Sequence, residues 1–74
     1  MKVEIEVFGQ LLPGQPRTRN MELKGEKTAR NIAMSIGLDP EEIGMVTING
    51  AHSRLDDPIQ KDARICFFPY ITGG

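Results

Sequence analysis

Hydrophobic and polar residues alternate near the start of the chain, and this alternation predicts a β-strand with one buried face. Within residues 2–8, valine and isoleucine occupy every second position, while lysine, glutamate and phenylalanine occupy the others. A shorter alternation over residues 21–24 predicts a second strand, antiparallel to the first. The segment 9–20 between the two contains glycine and proline, and we expect it to form a loop.

A single amphipathic helix is predicted in the next segment. Between residues 29 and 36, apolar side chains recur at spacings of three and four, which places them on one face of a helix. Thr28 precedes this segment as a suitable N-cap, and Gly37 follows it where a C-terminal capping glycine belongs. Asp39 and Pro40 then predict a short turn of helix, with the aspartate as its cap and the proline at its first position.

Three more strands are predicted in the second half of the chain, at residues 45–48, 51–55 and 64–68. Asn49-Gly50 predicts a tight hairpin between the first two of these strands, because both residues tolerate a positive φ. One helix can cover only one face of a sheet. The order of elements therefore predicts an α+β fold of the β-grasp type, in which one mixed sheet is packed by one main helix.

Composition narrows the classes of function. A chain of 74 residues indicates one domain, and nine Lys plus Arg against ten Asp plus Glu argue against nucleic acid as a partner. Cys66 is the single cysteine, which excludes an internal disulfide and a cysteine-based zinc site. No apolar run approaches the ~20 residues that a membrane helix needs, and the sequence shows no signal-peptide pattern. We therefore expect a cytoplasmic protein that binds no metal and no membrane.

Two glycines, Gly73 and Gly74, end the sequence and point to chemistry at the terminal carboxylate. Without a Cβ, glycine lets the backbone enter a narrow channel. An extended tail from Pro69 onwards reaches roughly 20 Å, enough to enter the active site of a partner. We therefore expect a β-grasp domain over residues 1–68 and a flexible tail over residues 69–74. A frayed end without function is the other interpretation.

The end of the sequence also resembles a known family. It reads Phe67-Phe68-Pro69-Tyr70-Ile71-Thr72-Gly73-Gly74, similar to the Phe-Phe-Pro-Pro-Val-x-Gly-Gly ending of the MoaD/ThiS sulfur carriers. These ubiquitin-like proteins are the small subunit of molybdopterin synthase and its thiamine-pathway counterpart. The Ile48-Asn49-Gly50 turn is similar to the central hairpin of the family. Tyr70 departs from the pattern, because it stands in place of the second proline.

The resemblance implies a function and a set of site residues. Gly74 would be adenylated by an enzyme related to ubiquitin-activating adenylyltransferases, which uses ATP and Mg²⁺, and a sulfur donor would convert it to a thiocarboxylate. Tyr70, Ile71, Thr72 and Gly73 would present this end to the partner. A larger synthase subunit or another acceptor enzyme would consume the sulfur, in molybdopterin-type cofactor biosynthesis in preference to the thiamine pathway. The chain would be a protein co-substrate with no bound cofactor, and not an enzyme.

Phe8, Cys66 and Phe68 are expected on neighbouring strands, on the sheet face away from the helix. This surface is either an accidental apolar area or a docking patch beside the tail, and the enrichment of aromatic residues at interface centres favours docking. The sequence places no histidine or second cysteine beside Cys66, which favours a structural thiol over a reactive one.

The other polar candidates have simpler interpretations. His52 is expected to be a surface residue, since a metal site needs several converging ligands. Asp56 and Asp57 are expected to serve a turn. Arg17 and Arg19 are expected to form a small, solvated basic patch in the 9–20 loop.

Two other classes of function remain open from the sequence. The chain could be a ubiquitin-like modifier that is joined through Gly74 to lysines of other proteins. It could also be a binding module whose tail is inert. The terminal glycines serve a carrier and a modifier equally well, so the sequence alone does not separate these two.

Overall fold

The computed structural model describes residues 1–70, which form a five-stranded sheet and one α-helix. The elements in chain order are β1 (Lys2–Val7), β2 (Thr18–Glu22), α1 (Ala29–Ser35), a 3₁₀ turn (Pro40–Glu42), β3 (Ile43–Ile48), β4 (Ala51–Ser53) and β5 (Arg64–Pro69). This order of strands and helix is the one that the sequence predicts.

The sheet has the strand order β2-β1-β5-β3-β4, so the last strand of the chain lies at its centre. β1 and β5 run parallel, and the other neighbouring pairs are antiparallel. The parallel pairing arises because the chain crosses from the β1–β2 hairpin through α1 before it returns to the sheet. The mixed sheet with one helix confirms the predicted α+β, ubiquitin-like β-grasp fold.

The core lies between α1 and one face of the sheet. Ile5 pairs with Ile65 across the parallel ladder, and Ile32 of α1 packs in the same apolar cluster. These three side chains and Phe67 have no exposed surface. The alternation that predicts β1 thus marks the residues that are buried, because successive strand side chains point to opposite faces.

Both ends of α1 form where the sequence predicts them. The Thr28 hydroxyl oxygen accepts a hydrogen bond of 3.2 Å from the backbone N–H of Asn31, which satisfies an unpaired donor of the first turn. Gly37 has a φ of +91°, the left-handed conformation that ends many helices and that glycine adopts without strain. Asp39 caps the 3₁₀ turn by accepting from the N–H of Glu41 at 3.0 Å.

Glu26 ties the loop before α1 to the end of that helix. Its carboxylate accepts a hydrogen bond from the Ser35 hydroxyl at 2.6 Å and others from the backbone N–H groups of Lys24 and Gly25, at 2.8 and 3.1 Å. The Ser35 bond first, and then the backbone bonds, favour the charged form and lower the pKa of Glu26 to about 2. The charged carboxylate therefore holds this loop in place.

Three predicted boundaries in the edge strands are wrong, and one of them is the end of β2, which lies at Glu22 and not at residue 24. β2 begins at Thr18, not at residue 21, because Thr18 pairs with Glu6 and Arg19 pairs with Ile5. The predicted 9–20 loop therefore ends three residues earlier. β4 ends at Ser53 and not at residue 55, since the chain turns here and the Asp57 carboxylate accepts from the N–H of Arg54 at 2.9 Å.

The pairing of β3 with β5 contains a bulge that the sequence pattern does not predict. Met45 pairs with Phe68 and Ile43 pairs with Pro69, so Gly44 is an extra residue in β3. The bulge turns Ile43 into the core, where it is 5% exposed, and β3 therefore begins two residues earlier than predicted. β5 includes Pro69, the first residue of the predicted tail.

Candidate functional site

The outer face is the side of the sheet opposite the α1 core, and its residues form rows across the strands. One row consists of Glu6, Cys66, Thr47 and His52. The next row, closer to the end of β5, contains Phe68 and Met45. Phe8 follows β1 directly and extends this second row, held by a 2.9 Å hydrogen bond from its N–H to the Phe67 carbonyl. The rows place polar residues at the middle of the outer face and an apolar strip at its end.

Phe8 and Phe68 form a stacked pair, which places them together as predicted. Their ring centroids are 4.5 Å apart and the ring planes differ by 7°. The guanidinium of Arg17 lies 5.8 Å from the centroid of the Phe8 ring. Both rings are partly buried, so the stack is a preformed aromatic surface with a cation beside it.

A groove of about 380 Å³ lies next to this stack, where the chain leaves β5. It is lined by Gly44, Met45, His52, Phe68, Pro69 and Tyr70 and is called the exit groove. Met45 and Tyr70 are 38% and 61% exposed. Sequence reasoning missed Met45 and Gly44 as residues of this surface. The strand alternation around Val46 could have shown that Met45 faces outward, but its position beside Phe68 depends on the β3–β5 register.

The predicted reactive end follows the groove residue Tyr70 in the sequence. Tyr70 is the last described residue and is exposed. Ile71, Thr72, Gly73 and Gly74 lie outside the described residues. Their roles in presenting and carrying the reactive carboxylate stay predictions.

Cys66 is on the outer face but offers little surface. It is a free cysteine with 8% exposure, placed between Glu6 and Thr47 in the sheet. Arg64 of the same strand forms ion pairs with Glu6 and with Glu4, the latter with an Nε–Oε1 distance of 3.4 Å. A docking role for Cys66 stays a prediction.

The remaining polar candidates serve local structure. Asp56 accepts a 2.8 Å hydrogen bond from Nε of Arg30, and this bond lowers the pKa of Asp56. Asp57 stabilises the turn after β4, as predicted. Arg19 lies in β2 and is partly buried, so the predicted basic patch with Arg17 in one loop is wrong.

Residues 1–70 contain neither a cluster of metal-ligating side chains nor a helix of membrane-spanning character. No group of three or more histidine, cysteine, aspartate or glutamate side chains in that range converges on a possible metal site. Over the same residues, no helix has the length and apolar character needed to cross a membrane.

Comparison with known proteins identifies a matching family and several solved structures of similar fold. The profile of the ThiS family matches residues 5–74. A search of curated protein sequences found no significant match. SAMP1 from Haloferax volcanii is 21% identical to this chain and has a TM-score of 0.73 over 100% of both chains.

Two further solved structures have the same fold. A small archaeal modifier protein 1 of H. volcanii is 18% identical, with a TM-score of 0.71 over 95% of this chain and 98% of that chain. A Pyrococcus furiosus protein described as a candidate molybdopterin converting factor, subunit 1, is 18% identical, with a TM-score of 0.68 over the same shares. At these identities the likeness concerns the fold.

Proposed function

Because the chain belongs to the ThiS family, we propose that it is a cytoplasmic sulfur carrier protein whose C-terminal Gly74 becomes a thiocarboxylate. The observation that carries the proposal is the extent of the family match, which runs to residue 74 and includes both terminal glycines. The chain is the protein co-substrate of this chemistry. A separate activating enzyme uses ATP and Mg²⁺, and a sulfur donor supplies the sulfur.

The proposed reaction has two steps at the carboxylate of Gly74. In the first step, a carboxylate oxygen attacks the α-phosphorus of ATP on an adenylyltransferase related to ubiquitin-activating enzymes, which forms an acyl-adenylate and releases pyrophosphate. In the second step, a sulfur nucleophile, hydrosulfide in the simplest case, attacks the carbonyl carbon. The C–O bond to AMP breaks, AMP leaves, and the thiocarboxylate remains.

The outer face supports this proposal because its apolar strip adjoins the point where the chain leaves the sheet. Phe68 belongs both to the aromatic stack and to the exit groove, and Tyr70 follows it by two residues. A partner that covers the stack therefore lies within reach of Gly74, which is at most ~13 Å of extended chain from Tyr70. We propose that the adenylyltransferase binds this surface first. After sulfur transfer, a larger synthase subunit or another acceptor enzyme binds the same surface.

For the product, we favour a molybdopterin-type cofactor over thiamine. The Phe67-Phe68-Pro69 segment resembles the ending of the molybdopterin synthase small subunit, and one protein with the same fold is described as a candidate molybdopterin converting factor. Product analysis with the acceptor enzyme that copurifies with the chain would separate a dithiolene from a thiazole.

Intact-mass measurement tests the carrier function. The chain is incubated with a ThiS-family adenylyltransferase, Mg-ATP and sulfide, and replacement of the terminal OH by SH should add about 16 Da. A chain that lacks Gly73 and Gly74 is the matched control and should show no gain. Absence of the heavier species from the full chain, while the same enzyme converts another carrier, would refute the proposal.

A protein modifier is the second candidate, and it is supported by the fold likeness to two crystal structures of the Haloferax volcanii protein named small archaeal modifier protein 1, or SAMP1. In that case Gly74 would form an amide with lysines of other proteins. A tagged chain expressed in its own host would then give a ladder of conjugates that disappears without the terminal glycines. A single band at the mass of the free chain would favour the carrier.

A further inference from the structure

The backbone after β5 passes unusually close to Gly44, the extra residue of the β3 bulge. A Cβ built on Gly44 would lie 2.7 Å from Cα of Tyr70 and 2.8 Å from both the Tyr70 nitrogen and the Pro69 carbonyl oxygen. Ordinary van der Waals contacts of a Cβ begin at 3.4 Å. All three contacting atoms belong to the backbone, so no change of side-chain rotamer would relieve the overlap.

A second glycine borders the same segment from the other side. Gly9 follows β1, which is the neighbour of β5 opposite to β3 in the sheet. A Cβ on Gly9 would lie 2.7 Å from Cγ of the Pro69 ring. Gly9 also has a φ of +67°, which disfavours any side chain. The chain therefore leaves the sheet through a gap, called the glycine gap, that is bordered by Gly9 and Gly44.

We propose that Gly44, with Gly9 opposite, is a positioning residue that fixes the course of the backbone from Pro69 into Tyr70, and with it the approach of Gly74 to the activating partner. The effect on the reaction rests on the proposed function, whereas the effect on the backbone does not. Gly44 has no other evident constraint, because it is exposed and its φ is not in the left-handed region. Its missing side chain is explained by the close passage of Tyr70.

Alanine at position 44 has a definite structural consequence. The backbones of residue 44 and Tyr70 must separate by about 0.7 Å to restore a contact of 3.4 Å, and Tyr70, at the end of the sheet, is the one we expect to move. A misplacement of ~1 Å in a reacting group can lower a rate by ~10²-fold, and only three residues separate Tyr70 from Gly74. We therefore expect Gly44→Ala to lower kcat for adenylation about tenfold.

The steady-state constants distinguish positioning from loss of folding, because the chain is the substrate. A partly unfolded carrier lowers the concentration of usable substrate, which raises the apparent KM and leaves kcat unchanged. A displaced tail on an intact body binds through the same outer face, so KM stays within about twofold while kcat falls.

The experiment compares Gly44→Ala with Gly25→Ala. Gly25 is the matched control, since a Cβ there meets no atom within 4 Å and its φ is not in the left-handed region. Adenylation is followed by ATP–pyrophosphate exchange at varied carrier concentration, and the Tyr70 amide is followed by NMR of ¹⁵N-labelled chain. Gly44→Ala should move the Tyr70 resonance and lower kcat, and Gly25→Ala should do neither.

An unmoved Tyr70 resonance, an unchanged kcat, or a change confined to KM in Gly44→Ala would overturn the inference. If the wild-type chain is not adenylated, the proposed function fails, and the Tyr70 resonance still decides whether the glycine sets the backbone. If Gly44→Ala does not fold, Gly9→Ala replaces it. In that variant, the Tyr70 resonance should move further than in Gly14→Ala, because Gly14 also has a positive φ but a Cβ there meets no atom within 4 Å. The double variant Gly9→Ala/Pro69→Ala lacks Cγ and should match Pro69→Ala alone, and failure of either comparison would contradict the inference.

Discussion

Phe68 is the central residue of the outer-face apolar strip, and we expect Phe68→Ala to weaken binding of the activating enzyme. The side chain stacks on Phe8 and also lines the exit groove. It therefore contributes to both surfaces that a partner would cover on its way to the tail. Aromatic anchors at the centre of an interface carry a large share of binding energy.

The expected magnitude follows from the exposed part of the ring. A phenylalanine side chain has roughly 200 Å² of surface, and if about a third remains for a partner, its burial at ~25 cal/mol per Å² contributes about 1.5 kcal/mol. This corresponds to a rise in Kd of about tenfold. The variant also loses the aromatic stack, which contributes about 0.5–1.5 kcal/mol to folding.

Binding and folding are measured separately to keep these effects apart. Isothermal titration calorimetry of each variant with the adenylyltransferase gives the Kd. The temperature is one at which chemical denaturation shows that each variant is folded. Met45→Ala and Met34→Ala form a matched pair, because both methionines are exposed but only Met45 lines the exit groove. Met45→Ala should weaken binding and Met34→Ala, on the helix, should not.

Two results would contradict binding of the partner at the aromatic stack. A Kd for folded Phe68→Ala that stays within about twofold of the wild-type value would show that the partner does not cover the stack. Equal weakening by Met34→Ala and Met45→Ala would show that the partner does not distinguish the outer face from the helix side.

Three further changes test the separation between tail and body. Deletion of Gly73 and Gly74 should abolish thiocarboxylate formation by intact mass while the denaturation midpoint stays unchanged, because terminal residues bury little surface; a large fall in midpoint would contradict this. Ile65→Ala should lower the free energy of unfolding by about 2–4 kcal/mol in urea titrations, since the side chain is fully buried, and a loss below ~1 kcal/mol would argue against its place in the core. Glu26 has a pKa lowered from 4.5 to about 2, so it stabilises the fold above pH 4.5 and this contribution is lost as the pH falls towards 2. Glu26→Gln should therefore be less stable at neutral pH and should lose less stability over that acidic range, and unchanged acid unfolding would refute the role of this carboxylate.

Local sequence signals were sufficient wherever the structure is set by neighbouring residues. Thr28 and Gly37 mark the ends of α1 because capping depends on side-chain chemistry and on φ at single positions. Asn49-Gly50 forms the predicted turn, with φ values of +53° and +82°. The buried residues of β1 follow from alternation alone.

The pattern failed where pairing between distant segments decides the structure. The start of β2 has no apolar signal, since Thr18 and Arg19 are strand residues only through their pairing with β1. The bulge at Gly44 had no such signal, because a glycine suggests a bulge only inside a strand pattern and Gly44 precedes the predicted strand 45–48. Its consequence for Tyr70 depends on the β3–β5 register, which the sequence does not specify locally.

The position of β5 explains why one small face can both bind a partner and direct the tail. β5 is the third of five strands, so its end has a neighbour on each side. Phe8 from the β1 side and Met45 from the β3 side flank Phe68, which centres the apolar strip on the strand that continues into the tail. Gly9 and Gly44 belong to the same two flanking segments and border the next residue, Pro69. At an edge strand, only one of the two flanks would exist, and neither the strip nor the glycine gap could be closed on both sides.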